Sequence, residues 1–470
     1  MKDKSFLILK DKNIIRGILI LALPIMVSNI LKSVHDMVDM YFIGHMNESQ
    51  EVIQAQVSAI TLTGPILQIC QALALGLMIA GTAIISQYLG AKEVEKAKNV
   101  SGQLFILSVT IGIFFNGILY VLAPFILKWM GANPDTALYQ YAVQYVQYRS
   151  FELTGLFLFY AYQATRQSTG DTLTPVLLNM ISVVINIILT GIFLLHLHMQ
   201  INGAALATVI GNVLIMPFCI ILMIRKKHNP ISLQIKDLRL NVAHMGQLFR
   251  VGLPAALSQA FTSLGFLLIN SFIIGFPTHI VYAIGIGNRI NALLLFPTMS
   301  IGSVLATFIG QNIGALQVER AKQSLKYAML ITLVISIGGT ILLLLARKPL
   351  VRFFINASTH PDAFQFCVYY LYFLLMTLPL MGIFQVWTGC FQGAGKTGYS
   401  LLLATMRLWV FRLPLIWLMM RIFKMGPPSV YYAMLISNFG AVILGTFLYG
   451  FIDFQPNNEK RYSLFKQAKV

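Results

Sequence analysis

Two stretches of this 470-residue chain, Pro175 to Leu195 and Val430 to Phe451, carry no charged side chain. Each is long enough to cross a hydrocarbon core, which takes about 20 residues of helix. Backbone inside lipid has to satisfy its own N–H and C=O groups, which confines such runs to helices. The remainder of the chain follows the same plan: 57% of its residues are hydrophobic and 11% charged. A soluble chain of this length does not bury that much apolar surface. About twelve spans are expected, near 15–43, 57–84, 100–124, 140–164, 174–196, 203–224, 250–275, 281–309, 325–346, 365–389, 401–423 and 430–452. The expected fold is an all-α polytopic membrane protein.

The formal charge of +18 would suggest nucleic acid in a soluble protein, but its distribution points elsewhere. Lys2, Lys4, Lys10, Lys12 and Arg16 open the chain, and Lys92, Lys96 and Lys98 follow one loop later on the same side. Arg225, Lys226, Lys227, Lys236 and Arg239, then Arg320, Lys322 and Lys326, and finally Lys460, Arg461, Lys466 and Lys469 continue the series. The alternate loops hold Glu48, Glu51 and Asp135, with Arg347, Lys348 and Arg352 as the exception. Basic residues concentrate on the cytoplasmic side, so both termini are expected there, in a multi-pass protein of the cell inner (plasma) membrane. No module or aromatic-basic interleaving suggests a nucleic-acid partner. The start reads as a retained cytoplasmic segment and not a signal peptide. Cys70, Cys219, Cys367 and Cys390 lie in or beside apolar segments without a metal-ligand spacing, so neither disulfides nor structural zinc is expected.

The two halves of the chain resemble each other. Leu23-Pro24 with Ser28 and Ser33 matches Leu253-Pro254 with Ser258 and Ser263. QYLGAK from Gln87 matches QNIGAL from Gln311, and QSTGDT from Gln167 matches QGAGKT from Gln392. Three matches in one order describe two repeats of six spans, and an even number per repeat makes them parallel. Parallel repeats that rock about a site between them are a transporter architecture. The division expected is an N-lobe over 1–224, a cytoplasmic linker over 225–249, a C-lobe over 250–452 and a cytoplasmic tail over 453–470. Pro24 and Pro254, heading the first span of each repeat, are candidate bending points because a proline frees a backbone carbonyl.

The first span is unusual in carrying Lys32, His35, Asp36 and Asp39. At 100° per residue these and Ser28 share an arc of about 100°. Charged groups within a bilayer are expensive and mark ion or substrate paths, so this stripe is the leading candidate site. A carboxylate here takes up and releases a proton, or ligates sodium with oxygen partners. The competing account is structural pairing, since His35 with Asp39 and Lys32 with Asp36 are both spaced for intrahelical ion pairs.

The chain resembles the multidrug and toxic compound extrusion (MATE) transporters almost end to end. LALPIMVSN, VDMYFIG, QYLGAK and TGDTLTP carry the resemblance in the first half. GLPAALSQ, GIGNRINALLLFP, IGQNIGA, FQGAGKT and RLWVFRLPL carry it in the second. The resemblance implies a V-shaped bundle of two six-helix lobes around a central cavity; the sequence offers no metal cluster or nucleophile-base constellation, so neither enzymatic activity nor a cofactor is expected. It implies export of amphipathic, often cationic drugs by antiport against protons or sodium with alternating access; a monomer in contact with membrane lipid is expected. It places the coupling carboxylate on Asp39, with sodium a possible ligand there. Asp36 stands where the family often has Asn. Some members add an Asp one turn after an Asn in the fifth span; here Asn186 is present and Thr190 replaces the Asp.

Glu152, beside Arg149, is the only other acid in a span and a second relay candidate, although simple pairing with Arg149 explains it too. Asn186 offers an oxygen to a cation or a hydrogen bond to a neighbouring helix. Ser28, His35, Tyr145 and Arg289 are candidate cavity or gating residues. Arg407 and Arg412 read as structural, yet with Arg289 they leave open a flippase of lipid-linked precursors from the same broader superfamily. GAGKT at Gly393 is not a phosphate-binding loop, because Cys390 stands where its first glycine belongs.

Overall fold

The computed structural model describes residues 5–44, 49–225, 230–355, 361–452 and 454, and every regular element among them is helical. In order these are α1 (Ser5–Leu9), α2 (Ile14–Gly44), α3 (Gln50–Gly90), α4 (Val94–Trp129), α5 (Ala137–Ser150), α6 (Glu152–Ser168), α7 (Leu173–Gly191), α8 (Gln200–Leu214) and α9 (Met216–Ile224). The second half supplies α10 (Val242–Ile274), α11 (Thr278–Gly314), α12 (Val318–Phe354), α13 (Pro361–Met376), α14 (Leu378–Gly393), α15 (Thr397–Thr405), α16 (Leu413–Arg421) and α17 (Pro428–Tyr449). π-helical segments at Ile192–His196 and Met406–Arg412 continue α7 and join α15 to α16.

The chain is a multi-pass helical membrane protein. Among the described residues ten helical stretches are long and apolar enough to span, and α13 with α14, bent by 42°, makes an eleventh. The twelfth expected span, 140–164, is α5 and α6. It is divided at Phe151 into helices of 14 and 17 residues, with Arg149 and Glu152 beside the break. Breaks inside spans follow sequence chemistry. Pro217, Pro379 and Pro414 each sit in the first turn after a break, where the missing N–H costs least. The break at Phe151 has no such cause. Pro24 and Pro254 lie inside continuous helices.

The repeat is visible in the backbone. α3 ends at Gly90 and α11 at Gly314, and Ala91 and Ala315 donate to Gln87 and Gln311 in the same way. The next residues, Lys92 and Leu316, both adopt left-handed backbone, φ 60° and 61°. Gly170 and Gly395, turning α6 into α7 and α14 into α15, have φ of 81° and 70°. GAGKT is therefore a turn between two membrane helices.

The chain divides into two compact units. One is Val27–Ala256; the other joins Ser5–Met26 to Leu257–Val470. The lobes expected over 1–224 and 250–452 do not coincide with these units. The dividing points fall within α2 and α10, two residues after Pro24 and two after Pro254. In the second unit Ile8, Ile14, Ile18, Leu21 and Ile25 are buried in one core with Phe308 and Phe391. Arg320 fixes this lead-in by donating to the carbonyls of Ile8 (2.9 Å) and Asp11 (2.7 Å). In the first unit Ile231, Leu248 and Val251 join Leu104 and Phe157. Gln103 there donates to the Arg239 carbonyl (2.8 Å) and accepts from the Asn241 N–H (3.0 Å).

Candidate functional site

In the first unit α7 carries Asn179, Ser182, Asn186 and Thr190, spaced three, four and four residues apart. That spacing aligns them on one helix face. Ser182, Asn186 and Thr190 are buried. A polar group in lipid needs a partner, and the partners lie on α2 and α8.

Two rungs join α7 to α2. Asn179 Nδ2 donates to Ser28 Oγ at 3.0 Å, and His35 Nε2 meets Asn186 Oδ1 at 2.6 Å. Ser28 and His35 are seven residues apart, as are Asn179 and Asn186. Matching two-turn spacings in the same sequence direction show that these helices run parallel here, as first and fifth spans must.

A second pair of rungs joins α7 to α8. Asn186 Nδ2 donates to Thr208 Oγ1 (3.0 Å), and Ser182 Oγ donates to Asn212 Oδ1 (3.5 Å). Thr190 Oγ1 also donates to Asn186 Oδ1, at 3.4 Å. The proton arrangement follows from the first of these. The Thr208 hydroxyl spends its proton on the Ala204 carbonyl (3.0 Å), so it accepts from Asn186 and receives the amide nitrogen. The amide oxygen then faces His35, and an oxygen acceptor requires the proton of His35 on Nε2.

From Asn212 the network runs on to a buried ion pair. Asn212 Nδ2 donates to Glu152 Oε2 (3.3 Å), and Glu152 Oε1 accepts from Arg149 Nη2 (2.7 Å). Arg149 Nη1 donates to the Tyr145 hydroxyl (2.9 Å). Glu152 is 2% exposed. It opens α6, where the positive end of the helix favours a carboxylate. Arg149 closes α5, so the break at Phe151 lies between the partners.

The structure thus gathers Ser28, His35, Asn186 and Thr190 around one face of α7, with Glu152 and Tyr145 reached through Asn212. Arg289 lies in the other unit and is exposed. The side chains of Asp36 and Asp39 lie outside the described residues; their backbone belongs to α2. Four members of the network, Asn179, Ser182, Thr208 and Asn212, are absent from the expected set. Their signal is in the sequence as polar residues at helical spacing within charge-free spans. Asn186 makes the hydrogen bonds to neighbouring helices that its side chain offers.

The MatE family model matches residues 24–192 and 254–418, one stretch in each half. Multidrug export protein MepA of Staphylococcus haemolyticus is 25% identical over 448 residues, covering 95% of this chain and 96% of that protein. Probable multidrug resistance protein YoeA of Bacillus subtilis is 26% identical, covering 70% and 71%. A crystal structure of MATE in complex with MaL6 superposes with a TM-score of 0.88 at 22% identity, covering 99% of this chain and all of that one. An outward-facing multidrug resistance MATE transporter superposes with 0.87. Matched in both halves by one family model, the chain belongs to the MatE family.

Proposed function

We propose that this protein is a secondary active efflux transporter. It exports amphipathic, often cationic drugs by antiport against protons or sodium, with alternating access. The names of its relatives support multidrug export, and the buried polar network of the first unit supports ion coupling there. The observation that carries the coupling site is the 2.6 Å bond from His35 to Asn186. It fixes one turn of the acid-bearing stripe of α2 against α7.

In this proposal Asp39, one turn beyond His35 on α2, gains a proton or binds sodium from outside, with Asp36 beside it on the same stripe. The change in charge alters how α2 packs on α7, and the rungs at Ser28 and His35 transmit that change along the helix. Export follows only if the ion binds the two states with different affinity. Glu152 serves as a second proton acceptor reached through Asn212 and Ser182. Thr190 contributes an oxygen and no titratable proton, so this unit's fifth span works without a carboxylate.

The test is ethidium efflux from whole cells or inverted vesicles, with proton and sodium gradients imposed separately. One gradient is expected to drive efflux in the wild type, and Asp39→Asn is expected to abolish it while leaving folded protein in the membrane. Unchanged efflux in that variant would remove Asp39 from the mechanism.

A further inference from the structure

The second unit holds a buried charge cluster that the coupling site does not use. Arg407 and Arg412 are 3% and 4% exposed, and neither has a carboxylate partner among the described residues. They stand five residues apart in the π-helical segment Met406–Arg412. In an α-helix that spacing would turn them about 140° apart. Hydrogen bonding from i to i+5 in a π turn brings them towards the same side, and such turns concentrate at functional sites.

The partners of these arginines are weak or neutral. Arg412 donates from Nε to Ser437 Oγ (2.9 Å) and from Nη2 to Asn438 Oδ1. Arg407 faces the Met381 thioether (Nη1 to Sδ 3.1 Å) and the Phe384 ring, 4.2 Å from its guanidinium carbon to the centroid. Two buried donors have no acceptor, Arg407 Nε and Asn438 Nδ2. A guanidinium within a membrane is costly, and cation–π contact repays only part of that.

Position in the repeat gives the cluster its meaning. With Gln167 matching Gln392, Ser182 corresponds to Arg407 and Asn212 to Ser437. Arg412 falls one residue past the match of Asn186. The same place in each six-helix repeat, between fifth and sixth spans, therefore carries a polar cluster. In the first unit it is neutral and leads to a carboxylate; in the second it carries two cations.

We propose that Arg407, Arg412 and Asn438 form a binding site for the anionic head of an amphipathic organic anion. The head is a carboxylate or phosphate oxyanion, and its apolar body lies against Met381 and Phe384. Planar guanidinium forks suit such oxyanions. Met381, flexible and only a weak acceptor, is the group the head displaces from Arg407. This adds a second ligand class to a transporter whose first unit handles cations.

The experiment uses the full-length protein in phosphatidylcholine nanodiscs, titrated calorimetrically with 1-naphthyl phosphate, with 1-naphthylmethylamine as the cationic control. Saturable binding of the phosphate is expected, weakened at least tenfold by Arg407→Gln and less by Arg407→Lys. Asn438→Asp, which places an internal anion beside Arg412, is expected to abolish binding and serves if Arg407→Gln does not fold. Competition by phosphatidylglycerol in the nanodisc would assign the head to a lipid; competition by inorganic phosphate would assign it to a free oxyanion. Equal affinity in wild type and variants, no binding at all, or tighter binding of the amine would overturn the proposal.

Discussion

At the scale of single residues, the network of the first unit is held by groups that cannot be removed one at a time without leaving a buried partner stranded. Replacing Glu152 by Gln removes the carboxylate charge and leaves the guanidinium of Arg149 with neutral acceptors alone. Breaking a buried pair in this way costs about 3–5 kcal/mol, so the purified variant is expected to melt well below the wild type. The double variant Glu152→Gln with Arg149→Met removes both charges and is expected to recover most of the loss. A double variant no more stable than the single would show that the pair does not set stability. Asn186→Leu removes the acceptor that meets His35 Nε2 and the donor to Thr208 Oγ1. An unsatisfied buried group costs about 1–3 kcal/mol. Thermal denaturation followed by light scattering reads this directly, and Asn186→Gln, keeping the amide, is expected to lose less.

At the scale of elements, turns and helix ends carry the repeat most plainly. Gly170 and Gly395 sit in left-handed backbone at matched turns, where a β-carbon costs about 1–2 kcal/mol. Gly170→Ala and Gly395→Ala are each expected to lower the melting temperature. Alanine at Gly398, which has open space and ordinary backbone, should not. Equal effects at all three would contradict the assignment. Much of this level was legible in advance. The charge-free runs located the spans, and QYLGAK with QNIGAL located two helix ends whose next residues share one backbone conformation. The break at Phe151 was not legible, because no proline or glycine marks it. The partners of α7 were not legible either. The spacing of Asn179, Ser182, Asn186 and Thr190 shows a polar face, but only packing decides that Ser28 and His35 of α2 meet it. Asp36 and Asp39 were singled out from sequence, and their side chains lie outside the described residues.

At the scale of the whole molecule, each unit completes its core with residues from the other half of the sequence. Ser5–Met26 belongs with Leu257–Val470, and Ile8, Ile14, Ile18 and Leu21 bury themselves there. The sequence repeat located the matching helices but not this exchange, since Leu23-Pro24 and Leu253-Pro254 read as the heads of separate lobes. A chain cut between residues 225 and 230 is therefore expected to work only when both pieces are present. Coexpressed fragments 1–225 and 230–470 should copurify, whereas either alone should aggregate around its unburied lead helix. Monodisperse fragments produced singly would contradict the division.

The claim on which the account rests is that ion flow drives drug export. The direct measurement uses proteoliposomes energised with either a proton or a sodium gradient, monitored while ethidium is added. Ethidium is expected to dissipate one of the two gradients, saturably, and Asp39→Asn to abolish the effect. Ethidium movement that leaves both gradients intact, or the same dissipation in Asp39→Asn as in the wild type, would contradict it.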